Sequence, residues 1–171
     1  MIRKDAVLKR LRSSAVIGLV MSISGGLLAQ ETVEWTTLGN DFAHTRFSPA
    51  SEITIDNFED LEVAWEWSGA SLGAVSGRST PSYINGTLYT VAGPRRNVVA
   101  IDPKTGETMW SYRLPNTPRW EYSMRADYGK GVGYANIDGR DIIYTISPAF
   151  FLTALDAETG KPLEGFGEPV P

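Results

Sequence analysis

Along most of its length this chain alternates short apolar runs with clusters of Gly, Pro, Asn and Asp, a rhythm too fast for helices of ordinary length. The runs Pro81–Ile84 and Leu88–Val91 flank Asn85-Gly86, and together they predict a hairpin. Asn-Gly accepts the positive φ angles of a turn whose twist matches that of two paired strands. Pro94–Asn97 predicts the next turn, and Val98–Ile101 a third strand rich in β-branched residues. Asp102 can bond the backbone of the following turn, Gly106 suits its positive-φ position, and Met109, Trp110 and Tyr112 resume a strand. Val132–Ala135, Asp138-Gly139, Ile142–Ile146 and Leu152–Leu155 repeat the same grammar. Upstream, Glu62–Ser68 predicts a strand with Val63, Trp65 and Trp67 on one face and Glu62, Ala64 and Glu66 on the other. Ser51–Leu61 predicts a short helical turn capped by Asp56, and Ser71–Ser79 a flexible loop. Leu114–Gly131 has no regular period, and a connection of that length in a compact β domain is usually functional or packs on another surface.

One stretch returns. Ala100, Asp102, Thr105 and Gly106 reappear as Ala154, Asp156, Thr159 and Gly160, each 54 positions later. Recurrence at that period marks a repeat architecture, and repeated hairpins with a D-x-x-T-G turn predict blades of a β-propeller. Trp110 has no counterpart at the same spacing, where Glu164 stands, although Phe166 is close by. A propeller needs at least four blades of about 40–50 residues. Residues 30–171 suffice for roughly two to three, and an unclosed propeller exposes raw strand edges. The expectation is therefore part of a longer ring.

The charge pattern separates one segment from the rest. Arg3, Lys4, Lys9, Arg10 and Arg12 precede the apolar run Ala15–Ala29, which Ser and Gly dilute. A basic head before a run of that length predicts a signal peptide over residues 1–29, with Leu27 and Ala29 at the −3 and −1 positions of the cleavage site. The alternative is an uncleaved anchor, which would associate the protein with a membrane. Residues 1–29 hold five of the 16 basic and one of the 20 acidic residues, which leaves 11 against 19, a net −8, for residues 30–171. So acidic a domain excludes nucleic acid as a natural partner. There is no cysteine, hence no disulfide and no thiol chemistry.

Several motifs in order carry a resemblance. Trp35, Gly39, Asp41, Arg46, Ser48 and Pro49 form a W-x-x-x-G-x-D…R-F-S-P opening, followed by Ile53, Asn57, Leu61, Ala64 and Trp65. Thr80-Pro81 and Gly86-x-Leu88-Tyr89 come next, then Ala100–Trp110 as A-x-D-x-x-T-G-x-x-x-W. Gly131–Tyr134 and Ala154–Lys161 complete the series. Over residues 33–168 the chain resembles the N-terminal part of the pyrroloquinoline-quinone (PQQ)-dependent alcohol and sugar dehydrogenases.

That resemblance implies an all-β fold, here the first two to three blades of an eight-bladed propeller, with the Trp wedged between neighbouring blades. It implies PQQ and Ca²⁺ near the ring axis, a small alcohol or sugar as substrate, a cytochrome or membrane quinone as electron acceptor, and a periplasmic location. Lys130 stands where the family usually has an Arg facing the PQQ carboxylates, and keeps the charge without the planar fork. Arg78 stands two residues before Thr80-Pro81, where some members place a cofactor-contacting Glu or Gln. These two are the cofactor-binding candidates. By that resemblance the family's metal ligands and catalytic aspartate would lie beyond Pro171, and the vicinal cysteine pair of some methanol-oxidising members is absent from these residues. A non-catalytic propeller scaffold or an inactive truncated product is the alternative reading, and the Trp35–Pro49 opening favours the enzyme. Gly129–Gly133 lacks the Lys-Ser/Thr ending and following helix of a phosphate loop, and reads as a tight lead into a strand. His44 has no partner at metal-ligand spacing, so a surface hydrogen-bonding role is expected. Asp138 and Asp141 flank a turn and are expected to be solvated.

Overall fold

A computed structural model describes residues 33–73, 78–124, 129 and 131–168. The predicted hairpins fold into two antiparallel sheets. The first holds β1 (Ser82–Ile84), β2 (Thr87–Ala92), β3 (Asn97–Ile101) and β4 (Thr108–Tyr112), hydrogen-bonded in chain order. The second holds β5 (Gly133–Ile137), β6 (Arg140–Ile146) and β7 (Leu152–Asp156), again in chain order. The Asn85-Gly86 turn forms as the dipeptide predicts, with φ 46° and 78°.

The sequence repeat is a repeat of geometry. In the first sheet Ile101 pairs with Thr108; in the second Leu155 bridges Pro162, both partners 54 positions on. Asp102 N donates to Glu107 O at 2.9 Å and Gly106 N to Asp102 O at 2.8 Å. Asp156 N donates to Lys161 O and Gly160 N to Asp156 O at the same distances. Each aspartate also draws a backbone N–H onto its carboxylate, Lys104 N at 2.8 Å and Thr159 N at 3.0 Å. The second unit stops being a sheet after the Pro162 bridge: residues 164–167 turn away instead of continuing as a fourth strand. A groove of about 550 Å³ lined by Tyr112, Leu114, Leu152, Leu163 and Phe166 runs along the uncovered side of β7.

The core lies between the sheets. Ile84, Tyr89, Val98 and Ala100 of the first pack with Ile143, Leu155 and Ala157 of the second, and Trp110 borders the cluster. Trp110 is the wedge that the family resemblance implies. A Cβ on Gly160 would stand 2.4 Å from its ring, and its indole Nε1 donates to Ala157 O at 3.0 Å. Tyr89 Oη donates to the same carbonyl at 3.1 Å, the two rings tilted with centroids 5.8 Å apart.

Three expectations are corrected. Glu62–Ser68 forms no strand, because no described strand lies beside it to complete a ladder, although Trp65 and Trp67 do turn inward. Asp56 is not the cap: the 3₁₀ turn Phe58–Asp60 follows Asn57, whose side chain accepts from Thr54 N at 2.7 Å and donates to Glu52 O at 2.8 Å. The long connection carries one helical turn, α1 (Pro118–Glu121), with proline at the first position and Thr117 Oγ1 accepting from Trp120 N at 3.2 Å.

Candidate functional site

An up-and-down meander sorts its connections between two ends. One end collects the approach to β1, the β2–β3 turn, the exit of β4 with the segment after it, the lead into β5, and the β6–β7 turn. The opposite end collects the Asn85-Gly86, Asp102–Glu107 and Asp138-Gly139 turns and the exit of β7. Charges sort with them. Among the described residues the first end carries Arg78, Arg95, Arg96, Arg113 and Arg119 against the carboxylates of Glu121 and Glu168. The second is mostly acidic, with Glu34, Asp102, Glu107, Asp138, Asp141, Asp156 and Glu158. Sequence reading missed this division because meander topology, not proximity in the chain, brings the arginines together.

At the basic end the loops are pinned to one another. Arg96, at φ 56°, sends Nη1 to the carbonyls of Ile146 at 3.1 Å and Ser147 at 3.4 Å, tying the first sheet to the second. Ser123 Oγ donates to Pro148 O at 2.6 Å. The Arg95 guanidinium lies 4.5 Å from the centroid of the Trp120 ring, and that of Arg119 lies 5.2 Å from the centroid of Phe151. Gly131 sits so close to Thr80 that a Cβ there would meet Thr80 O at 2.7 Å. Arg78, two residues before Thr80, is exposed at this end. Lys130 lies outside the described residues. Of the two cofactor-binding candidates, then, Arg78 is placed on the basic end, beside the point where the lead into β5 touches the approach to β1.

The acidic end is organised around a residue the sequence reading dismissed. Asp141 is not a solvated turn residue. Its Oδ1 accepts from Tyr134 Oη and Asn136 Nδ2, each at 2.7 Å, and its Oδ2 from Asn85 Nδ2 at 2.6 Å. Asn85 belongs to the first sheet's hairpin turn, so one carboxylate joins both sheets, and Glu34 Oε1 extends the network by accepting from Asn85 N at 2.8 Å. A signal was present: Asp141 follows an Asp-Gly turn and faces a Tyr and an Asn along the paired strand. The Asn136 and Tyr134 hydrogen bonds hold the Asp141 carboxyl below the ordinary value. Desolvation, reinforced by the bond to Asp141, pushes the Tyr134 hydroxyl up to about 12.

The pH consequences have opposite signs. Asp141, with its folded pKa depressed, contributes stability that is present above the unfolded value of roughly 4 and is lost as pH falls through the folded one. Tyr134, with its folded pKa raised, contributes stability that is complete below pH 10 and is lost as pH rises through about 12. Urea midpoints across pH are expected to fall at both margins. Asp141→Asn should flatten the acid limb and Tyr134→Phe the alkaline one, each with a loss of about 1 kcal/mol at pH 7.

His44 is exposed at φ 55°, packed against Gly39. Among the described residues no group of three or more His, Cys, Asp or Glu gathers that could hold a metal ion.

Two adjacent antiparallel meanders, each with a D-x-x-T-G turn, and a Trp of one seated on that turn of the next, define a propeller-type β protein. The family model "Glucose/ethanol/alcohol dehydrogenase, beta-propeller domain" (PQQ) matches residues 35–169, and the chain belongs to this family. It is 37% identical over 140 residues to the quinohemoprotein alcohol dehydrogenase of Comamonas testosteroni, covering 78% of this chain and 18% of that protein. It is 34% identical over 128 residues to the 1-butanol dehydrogenase (cytochrome c) of Thauera butanivorans, covering 75% and 18%. The crystal structure of the Comamonas enzyme superposes with a TM-score of 0.60 at 31% identity, over 76% of this chain and 18% of that one. A europium-containing methanol dehydrogenase superposes with a TM-score of 0.58 at 26% identity, over 77% and 22%. The chain therefore spans about a fifth of the length of these relatives.

Proposed function

We propose that these residues are the opening sectors of an eight-bladed ring in an exported, periplasmic, PQQ-dependent dehydrogenase that oxidises a small alcohol or sugar. The observation that carries the reading is the repeated Trp-on-turn unit, in a chain matched to the quinoprotein propeller family over residues 35–169. PQQ, bound with Ca²⁺, would supply a hydride acceptor whose carbonyl the metal polarises.

The residues present fit such a cofactor in charge. The basic end is where a group bearing several carboxylates is attracted, and the opposite end repels it. Arg78 would hold a carboxylate through its guanidinium fork, and Lys130 would add a point charge without that directionality. The contact of Gly131 with Thr80 O keeps the lead into β5 against the approach to β1, where a side chain would force them apart. Among the described residues no group of three or more His, Cys, Asp or Glu gathers to hold a metal, and the base and the metal ligands would come from other sectors. Residues 1–29 would act as the export signal, or as an anchor that keeps the enzyme at the membrane, and electrons would leave to a cytochrome or a membrane quinone.

The product of the native reading frame, incubated with PQQ and CaCl₂, is expected to reduce an artificial dye with 1-butanol or glucose. Absence of both PQQ binding and turnover would overturn the reading. Arg78→Ala is expected to weaken PQQ binding roughly tenfold, the loss of one charge-assisted hydrogen bond, when titrated by fluorescence quenching. Residues 1–171 alone are expected neither to bind PQQ tightly nor to oxidise alcohol.

A further inference from the structure

Asn85 is the one asparagine in the sequence that a glycine follows. Both residues are exposed at the tip of the β1–β2 hairpin, and a Cβ on Gly86 would meet nothing within 4 Å. The backbone nitrogen next in the chain to the Asn85 carboxamide is therefore shielded neither by a side chain of its own nor by a neighbour. Among the described residues the carboxamide nitrogen is held by Asp141, to whose Oδ2 it donates at 2.6 Å, and this bond joins the two sheets. The surroundings are negative. Glu34 Oε1 accepts from Asn85 N at 2.8 Å, and Asp141, Asp156 and Glu158 line with Asn85 a hollow of about 350 Å³. Arg140, which also lines it, is committed to Asp156 Oδ2 through Nε at 3.1 Å and Nη2 at 3.0 Å.

We propose that Asn85 is a site of spontaneous deamidation, and that its conversion to a carboxylate breaks the joint between the two sheets. Gly86 N attacks Asn85 Cγ, the Cγ–Nδ2 bond breaks, and the nitrogen leaves as ammonia with the proton that Gly86 gives up. Water then opens the cyclic imide to aspartate or isoaspartate, and no oxidant, reductant or cofactor is consumed. Ring closure needs the carboxamide off Asp141, so the 2.6 Å bond guards the site and the reaction proceeds as the hairpin tip frays. Once formed, a carboxylate at position 85 has no proton to donate. Two anions then face each other where a donor met an acceptor, and Arg140 stays with Asp156. The hairpin itself tolerates aspartate: Asp138-Gly139 closes the second sheet's turn with φ 52° and 80°, against 46° and 78° for Asn85-Gly86. The loss therefore falls on the contact with Asp141 and not on the turn.

Peptide mapping of the native reading-frame product, aged in warm, mildly alkaline buffer, tests the chemistry. Asn85 is expected to convert at least about tenfold faster than Asn40 and Asn57, whose followers Asp41 and Phe58 carry side chains. An Asn85 amide left intact after a free peptide of residues 81–90 has converted completely overturns the proposal. Two variants of the same product test the consequence. Asn85→Asp is expected to lower the urea midpoint and to speed amide exchange in β5–β7 about tenfold relative to β3. Combining it with Asp141→Asn should restore most of both. The amide then placed at 141 can accept from Tyr134 and Asn136 through its oxygen and donate to the carboxylate at 85. Asn85→Asp melting with the unsubstituted protein overturns the proposal, as does a loss that the exchanged pair leaves unrepaired. None of these readouts involves PQQ, so they stand apart from the proposed function.

Discussion

Gly160→Ala is expected to lower the stability of the described domain by about 3 kcal/mol or more, while Gly86→Ala costs only about 1 kcal/mol. Both glycines have left-handed backbones, φ 68° and 78°, so both substitutions carry the same conformational penalty. They differ in what the new methyl meets. At Gly86 there is nothing within 4 Å; at Gly160 the Trp110 ring stands 2.4 Å away, and the indole cannot retreat without breaking its bond to Ala157 O. Urea melts of the two variants side by side isolate the clash. An equal loss in both would show that the turn conformation, and not the seating of the Trp, is what the glycine serves.

Trp110→Ala is expected to cost about 3 kcal/mol, and to act on the joint between the sheets before either sheet itself. The indole covers Gly160, stacks near Tyr89 and reaches across to Ala157, so truncation opens a void between the sheets. Trp110→Phe should cost about 1 kcal/mol, because Tyr89 Oη still satisfies the Ala157 carbonyl and most of the ring surface remains. Hydrogen exchange should show β5–β7 losing protection in Trp110→Ala at denaturant concentrations where β2 and β3 retain theirs. Uniform loss over all strands would mean that the two sheets cannot unfold separately.

What could be read from the chain alone was whatever rests on local chemistry. Asn85-Gly86 and Asp138-Gly139 forced hairpins, and the D-x-x-T-G turns forced a second pair of reversals, because few residues tolerate those backbone angles. Glu62–Ser68 has strand composition and strand exposure but no partner strand, and pairing is a property of two segments that one segment's sequence cannot report. Asn57 displaced Asp56 because its amide both donates and accepts, which suits the Glu52–Thr54 loop better than a carboxylate. Asp141 looked like any turn-flanking acid; its importance comes from Asn85, 56 positions away. The clustering of arginines at one end likewise needed the topology, whereas Arg78 was named from its place beside Thr80-Pro81.

The seating of each indole on the following turn has a temporal side. Trp110 leaves the ribosome, and would cross any export channel, well ahead of Ala157 and Gly160, so its resting place does not yet exist when it emerges. Every sector would stay provisional until its successor arrives, which makes the growing chain depend on whatever shields an unseated tryptophan in the meantime.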